Sequence, residues 1–354
     1  MSDAILADST VFDTRVLPLL AQPANRVNSG HCFFGYVMLR SLRPALCMLI
    51  WGACAALPAG AAVFVSNEGT GDVSVIDSKT DQVSATIKLG GKPRGLALCK
   101  SDHRLYVSNQ QGSQLQVIDT RTQSLIGSVQ LGESPEAVYC SPDGKLVGVA
   151  NEGENSVSFV STADLKVVFS IPVKGKNPEH AVFSPDGKTM LVSAEDADLV
   201  DVLDLNTRQQ VGSIKVGERP RGIAFSPDGK TAYVAVENDS LLVAIDMAKR
   251  QVKGKLVVGQ RTNGLVMHPQ GQVLFASNGG DANVAMVDTA TFTLIDKVAV
   301  GQRPWNMAVS ADGSKVYVAA GRSHAVSVID IATRTSKLVP VGRLPWGAVA
   351  NSGP

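Results

Sequence analysis

Seven equivalent positions along the chain carry unlike polar and aromatic side chains, each just after a short turn that usually ends in proline. The seven residues are Arg94, Glu136, Glu179, Arg221, Asn263, Trp305 and Trp346. Guanidinium groups bind carboxylates through two parallel hydrogen bonds, and indole rings offer flat faces for stacking. A concave cluster of these types is typical of a pocket for a polar small molecule. We therefore predict that these side chains, with His180 and Asn306 beside them, bind a carboxylate-bearing ligand.

A second set of polar residues follows an apolar stretch in successive parts of the chain. Its members are Glu68, Glu152, Glu195, Glu237, Arg322 and His324. We predict that these residues lie on loops around the same pocket. Glu195, Asp196 and Asp198 offer carboxylate oxygens to a calcium ion, but two aspartates near a loop are a weak metal signal. The sequence requires neither calcium nor any other cofactor.

One repeated unit accounts for these spacings. A mostly aromatic or apolar position recurs every 42 or 43 residues, at Phe64, Tyr106, Gly148, Leu191, Tyr233, Phe275 and Tyr317. In the fifth unit, alternation and turn residues predict strands over 222–225, 232–236, 241–246 and 251–258. Pro-Asp-Gly sequences such as 227–229 favour tight turns, because proline presets its φ and glycine accepts a positive one. Four antiparallel strands at this period predict an all-β, seven-bladed β-propeller.

The phase of the repeats predicts how the ring closes. The first unit begins at its second strand, near Val63, whereas the chain ends on a first strand that begins near Trp346. We predict that this C-terminal strand joins the N-terminal blade, so that no inner sheet edge is left unpaired. In a propeller, the links before the first strands and the loops after the second strands share one face. Both polar sets are therefore predicted to surround one mouth of the central channel.

Each candidate also has a structural interpretation. Arg94, Arg221, Glu136 and Glu179 would plug the channel if they paired with one another across blades. Trp305 and Trp346 would serve the fold if they only packed against the closing blade. His180 and His324 lack the spacing of a metal motif. These interpretations remain open at the level of sequence.

The signals for catalysis are few. The chain has no Gly-x-Ser-x-Gly elbow, haem-attachment motif, phosphate-binding loop or dinucleotide-binding glycine pattern. Glu179 and His180 are neighbours and would form the acid–base pair of a lactonase-like hydrolase. With 33 basic and 32 acidic residues, the net charge is +1, which gives no electrostatic basis for nucleic-acid binding. We prefer a non-catalytic, monomeric binding protein, with the hydrolase and a protein-interaction scaffold as alternatives.

The N-terminal part has the pattern of a secretory signal peptide. Residues 38–61 begin with basic residues, continue with an apolar stretch over 45–57 and end in Ala-Gly-Ala. We expect translation to start at Met38, residues 1–37 to be a non-native or disordered leader, and residues 62–354 to form the propeller. The alternative is a genuine leader followed by an uncleaved anchor. Cleavage predicts a periplasmic or secreted protein.

Two cysteines, Cys99 and Cys140, would remain after cleavage. They fall at the ends of apolar stretches in neighbouring repeats. We interpret them as two small, separately buried apolar side chains. A disulfide, which an oxidising compartment permits, is the alternative.

The repeat units resemble bacterial YVTN-type propeller repeats, here as Tyr106-Val-Ser-Asn109 and Val117-Ile-Asp119. The segments 177–187, 193–198, 219–225, 303–307 and 344–347 resemble the propeller family associated with PQQ-dependent catabolism. The resemblance covers about residues 62–354. It implies a periplasmic accessory protein in alcohol or aldehyde oxidation, with a quinoprotein dehydrogenase or its cytochrome as partner. The side chains of the predicted pocket would suit an o-quinone tricarboxylate such as PQQ, or a carboxylate-bearing intermediate.

Overall fold

The computed structural model describes residues 61–99 and 102–351, which form seven four-stranded antiparallel sheets arranged as a β-propeller. The predicted all-β, seven-bladed fold is confirmed. The expected leader, the start at Met38 and nearly all of the signal peptide lie outside the described residues. Within the described residues, no helix has the length and apolar character needed to cross a bilayer.

Each blade runs from an inner strand at the channel to an outer strand at the rim. The first three blades contain β1 (Ala62–Asn67), β2 (Asp72–Asp77), β3 (Gln82–Lys88), β4 (Pro93–Leu98), β5 (Arg104–Asn109), β6 (Gln114–Asp119), β7 (Ser124–Gln130), β8 (Pro135–Cys140), β9 (Leu146–Asn151), β10 (Ser156–Ser161) and β11 (Val167–Pro172). The next two contain β12 (Pro178–Phe183), β13 (Thr189–Ala194), β14 (Leu199–Asp204), β15 (Gln209–Lys215), β16 (Pro220–Phe225), β17 (Thr231–Val236), β18 (Leu241–Asp246) and β19 (Gln251–Val257). The last strands are β20 (Thr262–Met267), β21 (Val273–Asn278), β22 (Asn283–Asp288), β23 (Thr293–Ala299), β24 (Pro304–Val309), β25 (Lys315–Ala320), β26 (Ala325–Asp330), β27 (Thr335–Pro340) and β28 (Pro345–Ala350). Short 3-10 helices at Glu195–Ala197 and Gly321–Ser323 follow β13 and β25.

The ring closes as the repeat phase predicts. Strand β28 is the inner strand of blade 1 and pairs antiparallel with β1, with Val63 opposite Ala350 and Val65 opposite Ala348. The Asn351 side-chain oxygen extends this pairing by accepting a hydrogen bond from the Ala62 amide at 2.6 Å. Blade 1 therefore contains both ends of the described chain.

Repeated turn residues set the blade edges. In the fifth blade, strands β16 to β19 match the predicted strands to within two residues at each end. An aspartate ends the third strand of six blades and accepts backbone N–H groups two or three residues later. Asp77, for example, accepts from the amides of Lys79 and Thr80 at 2.8 and 3.0 Å. Such Asx turns fix the sharp reversal into the outer strand.

The blades pack through the recurring apolar position on their second strands. Tyr106, Tyr317, Phe64 and Phe275 are buried there. Gly148 is the exception, because a Cβ at this position would lie 2.7 Å from the Met190 Cε atom of the next blade. The neighbouring blade thus fills the space that an aromatic ring fills elsewhere.

Cys99 and Cys140 form a disulfide, with their Cα atoms 5.4 Å apart. The preferred interpretation of two separate buried side chains is therefore wrong. The physical reason is that Cys99 directly follows β4 and Cys140 ends β8, so the inner strands of blades 2 and 3 bring the two sulfurs together at the end of the channel. The bond joins two neighbouring blades beside the channel.

Candidate functional site

A serine on the second strand holds the start of the inner strands and so positions the mouth residues. The Ser66 hydroxyl donates to the Arg94 carbonyl at 2.5 Å and accepts from the Gly347 amide. Ser108 does the same between Glu136 and Gly95 of blades 3 and 2. Ser277 likewise links the Trp305 carbonyl to blade 6. Each hydroxyl thus fixes the backbone of a mouth residue contributed by the next blade.

The structure brings most of the predicted residues to one channel mouth, which contains two cavities. A cavity of about 300 Å³ is lined by Glu68, Arg94, Gln110, Glu152, Glu179, Glu195, Arg219, Arg221, Trp305 and Trp346. A second cavity of about 280 Å³ is lined by Glu68, Arg261, Arg303, Trp305, Gly321, Arg322, Leu344, Pro345 and Trp346. Glu136 and Glu237 are fully buried beneath them, and Asn263 is also buried.

We call Glu136, Glu152, Glu179 and Glu195, with Arg94 and Arg221, the carboxylate side of the mouth. Here Arg94 binds Glu136 at 2.6 Å and Glu68 at 3.3 Å. Arg221 contacts Glu195 and, at 3.2 Å, Glu179. The predicted pairing of mouth charges across blades is therefore present on this side.

Burial and mutual repulsion shape the acidity of these carboxyl groups. Burial and the nearby Glu179 charge raise the pKa of Glu136 well above its ordinary value, although Arg94 opposes the shift. Burial also raises the pKa of Glu179, with Arg221 opposing it and Glu195 adding to it. Arg94 and Arg221 therefore do not fully offset the desolvation of Glu136 and Glu179.

We call Arg261, Arg303 and Arg322, with Glu237 and Trp305, the arginine side of the mouth. Glu237 accepts from Arg261 at 2.8 Å and from Arg303 at 2.9 Å. The Arg303 guanidinium also lies 4.4 Å from the centre of the Trp305 ring, within the range of a cation–π contact. Among the described residues, the Arg322 guanidinium has no hydrogen-bond or ion-pair partner.

The excess of positive charge on this side also shifts the pKa values of Arg303 and Glu237. Burial lowers the pKa of Arg303, and the neighbouring Arg261 and Arg221 lower it further, while Glu237 opposes the shift. Burial works against ionisation of Glu237, but Arg221, Arg261 and Arg303 together lower its pKa. One carboxylate, Glu237, thus pairs with several guanidinium groups. The arginine side therefore carries more positive than negative charge.

Sequence reasoning missed Arg219, Arg261 and Arg303 as site residues. They directly precede the inner strands β16, β20 and β24, where the backbone adopts a left-handed φ of 61°, 55° and 55°. The sequence feature that could have identified them is an arginine at the same turn position in three consecutive units. Arg219 connects the two sides, with its Nε 2.7 Å from Glu195 and 3.4 Å from Glu237.

The structure separates Glu179 from His180, the pair that a hydrolase would use. Glu179 lines the mouth, whereas His180 lines a cavity deeper in the channel. His180 Nδ1 lies 2.7 Å from the Tyr139 hydroxyl, and its ring stacks against Trp346. Burial and the Arg221 charge lower the His180 pKa to about 3, so this imidazole is neutral near pH 7.

Two further predicted residues lie apart from the mouth cavities. Asn306 lines the same deeper cavity as His180. The His324 ring is exposed, and its Nδ1 accepts the Leu344 amide at 3.1 Å. His324 therefore supports the loop at the closing blade.

The proposed calcium ligands do not converge. Glu195 turns to Arg219 and Arg221, while Asp196 accepts a hydrogen bond from Asn177. The carboxylate oxygens of Glu152, Glu179 and Glu195 do lie within 4.8 Å of one another. Because Arg221 contacts two of these three carboxylates, its guanidinium already supplies the positive charge that a cation would bring.

The fold and the mouth define a seven-bladed propeller with a polar, ion-paired opening on one face. The chain belongs to the family described as "Lactonase, 7-bladed beta-propeller", whose family model matches residues 121–214 and 204–348. No curated protein matches the chain.

Solved structures show the same fold. Hydrazine synthase of Kuenenia stuttgartiensis is 23% identical, with a TM-score of 0.71 and coverage of 78% of this chain and 96% of that one. A functionally unknown protein from Desulfotomaculum acetoxidans is 16% identical, with a TM-score of 0.71 and coverage of 83% and 99%. At these identities the likeness concerns the fold.

Proposed function

We propose that this protein is a non-catalytic propeller that binds a small molecule with two or more carboxylates on the arginine side of the mouth. The observation that carries the proposal is the ratio of charges in the second mouth cavity. Arg261, Arg303 and Arg322 line it together with a single carboxylate, Glu68. An anion placed there would meet guanidinium donors that already lack enough partners.

The shape of the cavity supports a compact, partly planar ligand. Trp305 and Trp346 contribute two indole rings to its wall. Arg322 is exposed and unpaired among the described residues, so it can turn toward a ligand without breaking an existing ion pair. These features suit a ring that carries several carboxylates.

The physiological setting that we propose is periplasmic. It rests on the sequence resemblance to propellers associated with PQQ-dependent catabolism. The protein would then serve a quinoprotein dehydrogenase or its cytochrome as an accessory, and PQQ would be the first tricarboxylate to test.

Thermal unfolding in the presence of ligands tests this proposal. We expect PQQ or citrate to raise the melting temperature saturably, because a ligand at one hundred times its Kd adds about 2.7 kcal/mol to the free energy of unfolding. Short aldehydes and calcium should cause no shift. Arg322→Ala should weaken the anion effect, whereas Arg121→Ala, which removes an exposed arginine at the rim, should not. A flat response to every anion would exclude the binding function and favour the interaction scaffold.

Hydrolysis of a lactone is a second candidate, and membership in the lactonase-named family favours it. Its chemistry would use Glu179, whose pKa is raised by burial, the direction that favours a carboxyl group acting as a general acid. Acid release from added lactones, followed in a pH-stat, would detect this activity. Glu179→Gln should abolish it, and Glu154→Gln, an exposed carboxylate nearby, should retain it. Absence of acid release from a panel of lactones would exclude this candidate.

A further inference from the structure

A third cavity, the one that His180 and Asn306 line, lies deeper in the central channel. We propose that it binds a neutral, largely apolar small molecule that carries a hydrogen-bond acceptor. The cavity has a volume of about 450 Å³, which is in the range of pockets for small organic ligands. The inner strands of all seven blades line it. It is distinct from both mouth cavities and goes beyond the proposed anion site.

The walls of this cavity select against charge. They consist mainly of alanine, valine, leucine, isoleucine and methionine residues, and among the residues that the structure describes no Lys, Arg, Asp or Glu lines them. An ionised ligand would lose its hydration there without meeting an opposite charge. Met267 and Met307 are unbranched and flexible, so they can adapt to ligands of different shape.

One polar group in the wall lacks a partner. The Asn306 Nδ2 atom is buried and has no hydrogen-bond partner in the described part of the chain. The Tyr139 hydroxyl and the Nδ1 atom of His180 are already paired with each other, at 2.7 Å. A buried amide without a partner is unfavourable. Because Asn306 is partly exposed, rotation of its side chain would turn Nδ2 toward the cavity, where a ketone, ester or ether oxygen on a ligand would accept its hydrogen bond.

The cavity is reached from the face opposite the mouth. Trp346 lines all three channel cavities, and its ring stacks on His180 with the centroids 6.3 Å apart, so these two rings mark the boundary below the mouth. At the other end lie the partly exposed last residues of inner strands, such as Leu98, Val309 and Ala350. The Cys99–Cys140 disulfide holds two inner strands together at this end.

Fluorescence titration with two neutral dyes tests the proposal. N-phenylnaphthylamine has no carbonyl group, whereas a dialkylaminonaphthyl ketone offers a carbonyl acceptor. We expect both dyes to bind saturably to the wild-type chain. Val309→Trp and Ala350→Trp, two separate substitutions near the opening, should each abolish binding by filling the cavity. Circular dichroism and thermal unfolding identify the variants that fold, and Arg322→Ala at the mouth should bind both dyes like wild type.

A matched pair of asparagine variants tests the polar contact. Asn306→Leu should weaken binding of the ketone dye by about three- to tenfold, the usual range for one hydrogen bond, and leave N-phenylnaphthylamine nearly unchanged. Asn263→Leu is the control, because the Asn263 Nδ2 is also buried and has no partner within residues 61–99 and 102–351, but Asn263 does not line the cavity. The proposal is overturned if neither dye binds, if folded Trp variants bind as wild type does, or if the two leucine variants behave alike.

Discussion

The two sides of the channel mouth use positions that lie two residues apart in the same repeat, yet they balance charge in opposite ways. On the carboxylate side, Glu136 and Glu179 follow the turn. Four carboxyl groups surround Arg94 and Arg221 there, and Arg219 reaches Glu195 from the boundary between the two sides. On the arginine side, Arg261 and Arg303 lie within the turn, directly before the inner strand, and share Glu237. A shift of two residues within one turn therefore changes which charge dominates. Binding specificity on this regular scaffold depends on such small offsets rather than on added domains.

Both sides depend on closure of the ring, and removal of the closing strand should have the largest effect. A chain that ends at Leu344 lacks β28, which leaves β1 with an open inner edge and removes Trp346 from both mouth cavities. We expect loss of cooperative thermal unfolding, followed by circular dichroism. A chain that ends at Asn351 retains β28 and should unfold like the full chain. Cooperative unfolding of the shorter chain would show that the two sides assemble without closure.

Replacement of one buried glutamate on each side should change the free energy of unfolding by different amounts. Glu237→Gln leaves Arg261 and Arg303 without their shared carboxylate, and we expect a loss of about 3–5 kcal/mol in the free energy of unfolding, as is typical when one partner of a buried ion pair is removed. Glu179→Gln removes a carboxylate that burial and Glu195 already disfavour. We expect this variant to stay within about 1 kcal/mol of wild type or to exceed it. Urea unfolding at pH 7 measures both.

Equal losses in these two variants would contradict the charge imbalance between the sides. A lower free energy of unfolding in Glu179→Gln alone would reverse the expected imbalance. It would mean that Arg221 depends on Glu179 more than on Glu195. The two substitutions are matched because both replace a buried glutamate by its isosteric amide, so a difference between them reports on charge and not on volume.

The regular parts of the fold could be predicted from sequence because they repeat. Pro-Asp-Gly turns and the alternation in the fifth unit gave strands that agree with β16 to β19, and the repeat phase predicted that β28 joins β1. The site was harder to predict, since a residue's direction depends on local irregularity. The β12–β13 pairing shifts register between Pro178 and Ala181, and Glu179 and His180 lie within this shift. Neighbours in sequence therefore reach different cavities, a separation that the alternation of side chains along a strand also favours.

The position of the missed arginines has a similar cause. A residue just before an inner strand is ordinarily assigned to a loop and not to a site. At Arg261 and Arg303, however, the backbone has a left-handed φ and the side chains contact Glu237. The disulfide was also unpredictable from spacing alone, because Cys99 follows its strand and Cys140 ends its own. Only the packing of blades 2 and 3 brings them together.

The smallest expected effect, about 1 kcal/mol for each unit of pKa shift, is an opposite pH dependence of the two sides. The pKa of Glu237 is lowered from 4.5, so its stabilisation is present above pH 4.5 and is lost as the pH falls through the lower folded-state value. The pKa of Glu179 is raised from 4.5, so its contribution is present below pH 4.5 and is lost as the pH rises through the higher folded-state value. Urea unfolding from pH 3 to pH 8 should therefore show the deficit of Glu237→Gln shrinking in acid, and Glu179→Gln gaining on wild type as the pH increases. Parallel curves for the two variants would mean that both glutamates have the same electrostatic environment. We expect different curves, because Arg261 and Arg303 contact Glu237 and not Glu179.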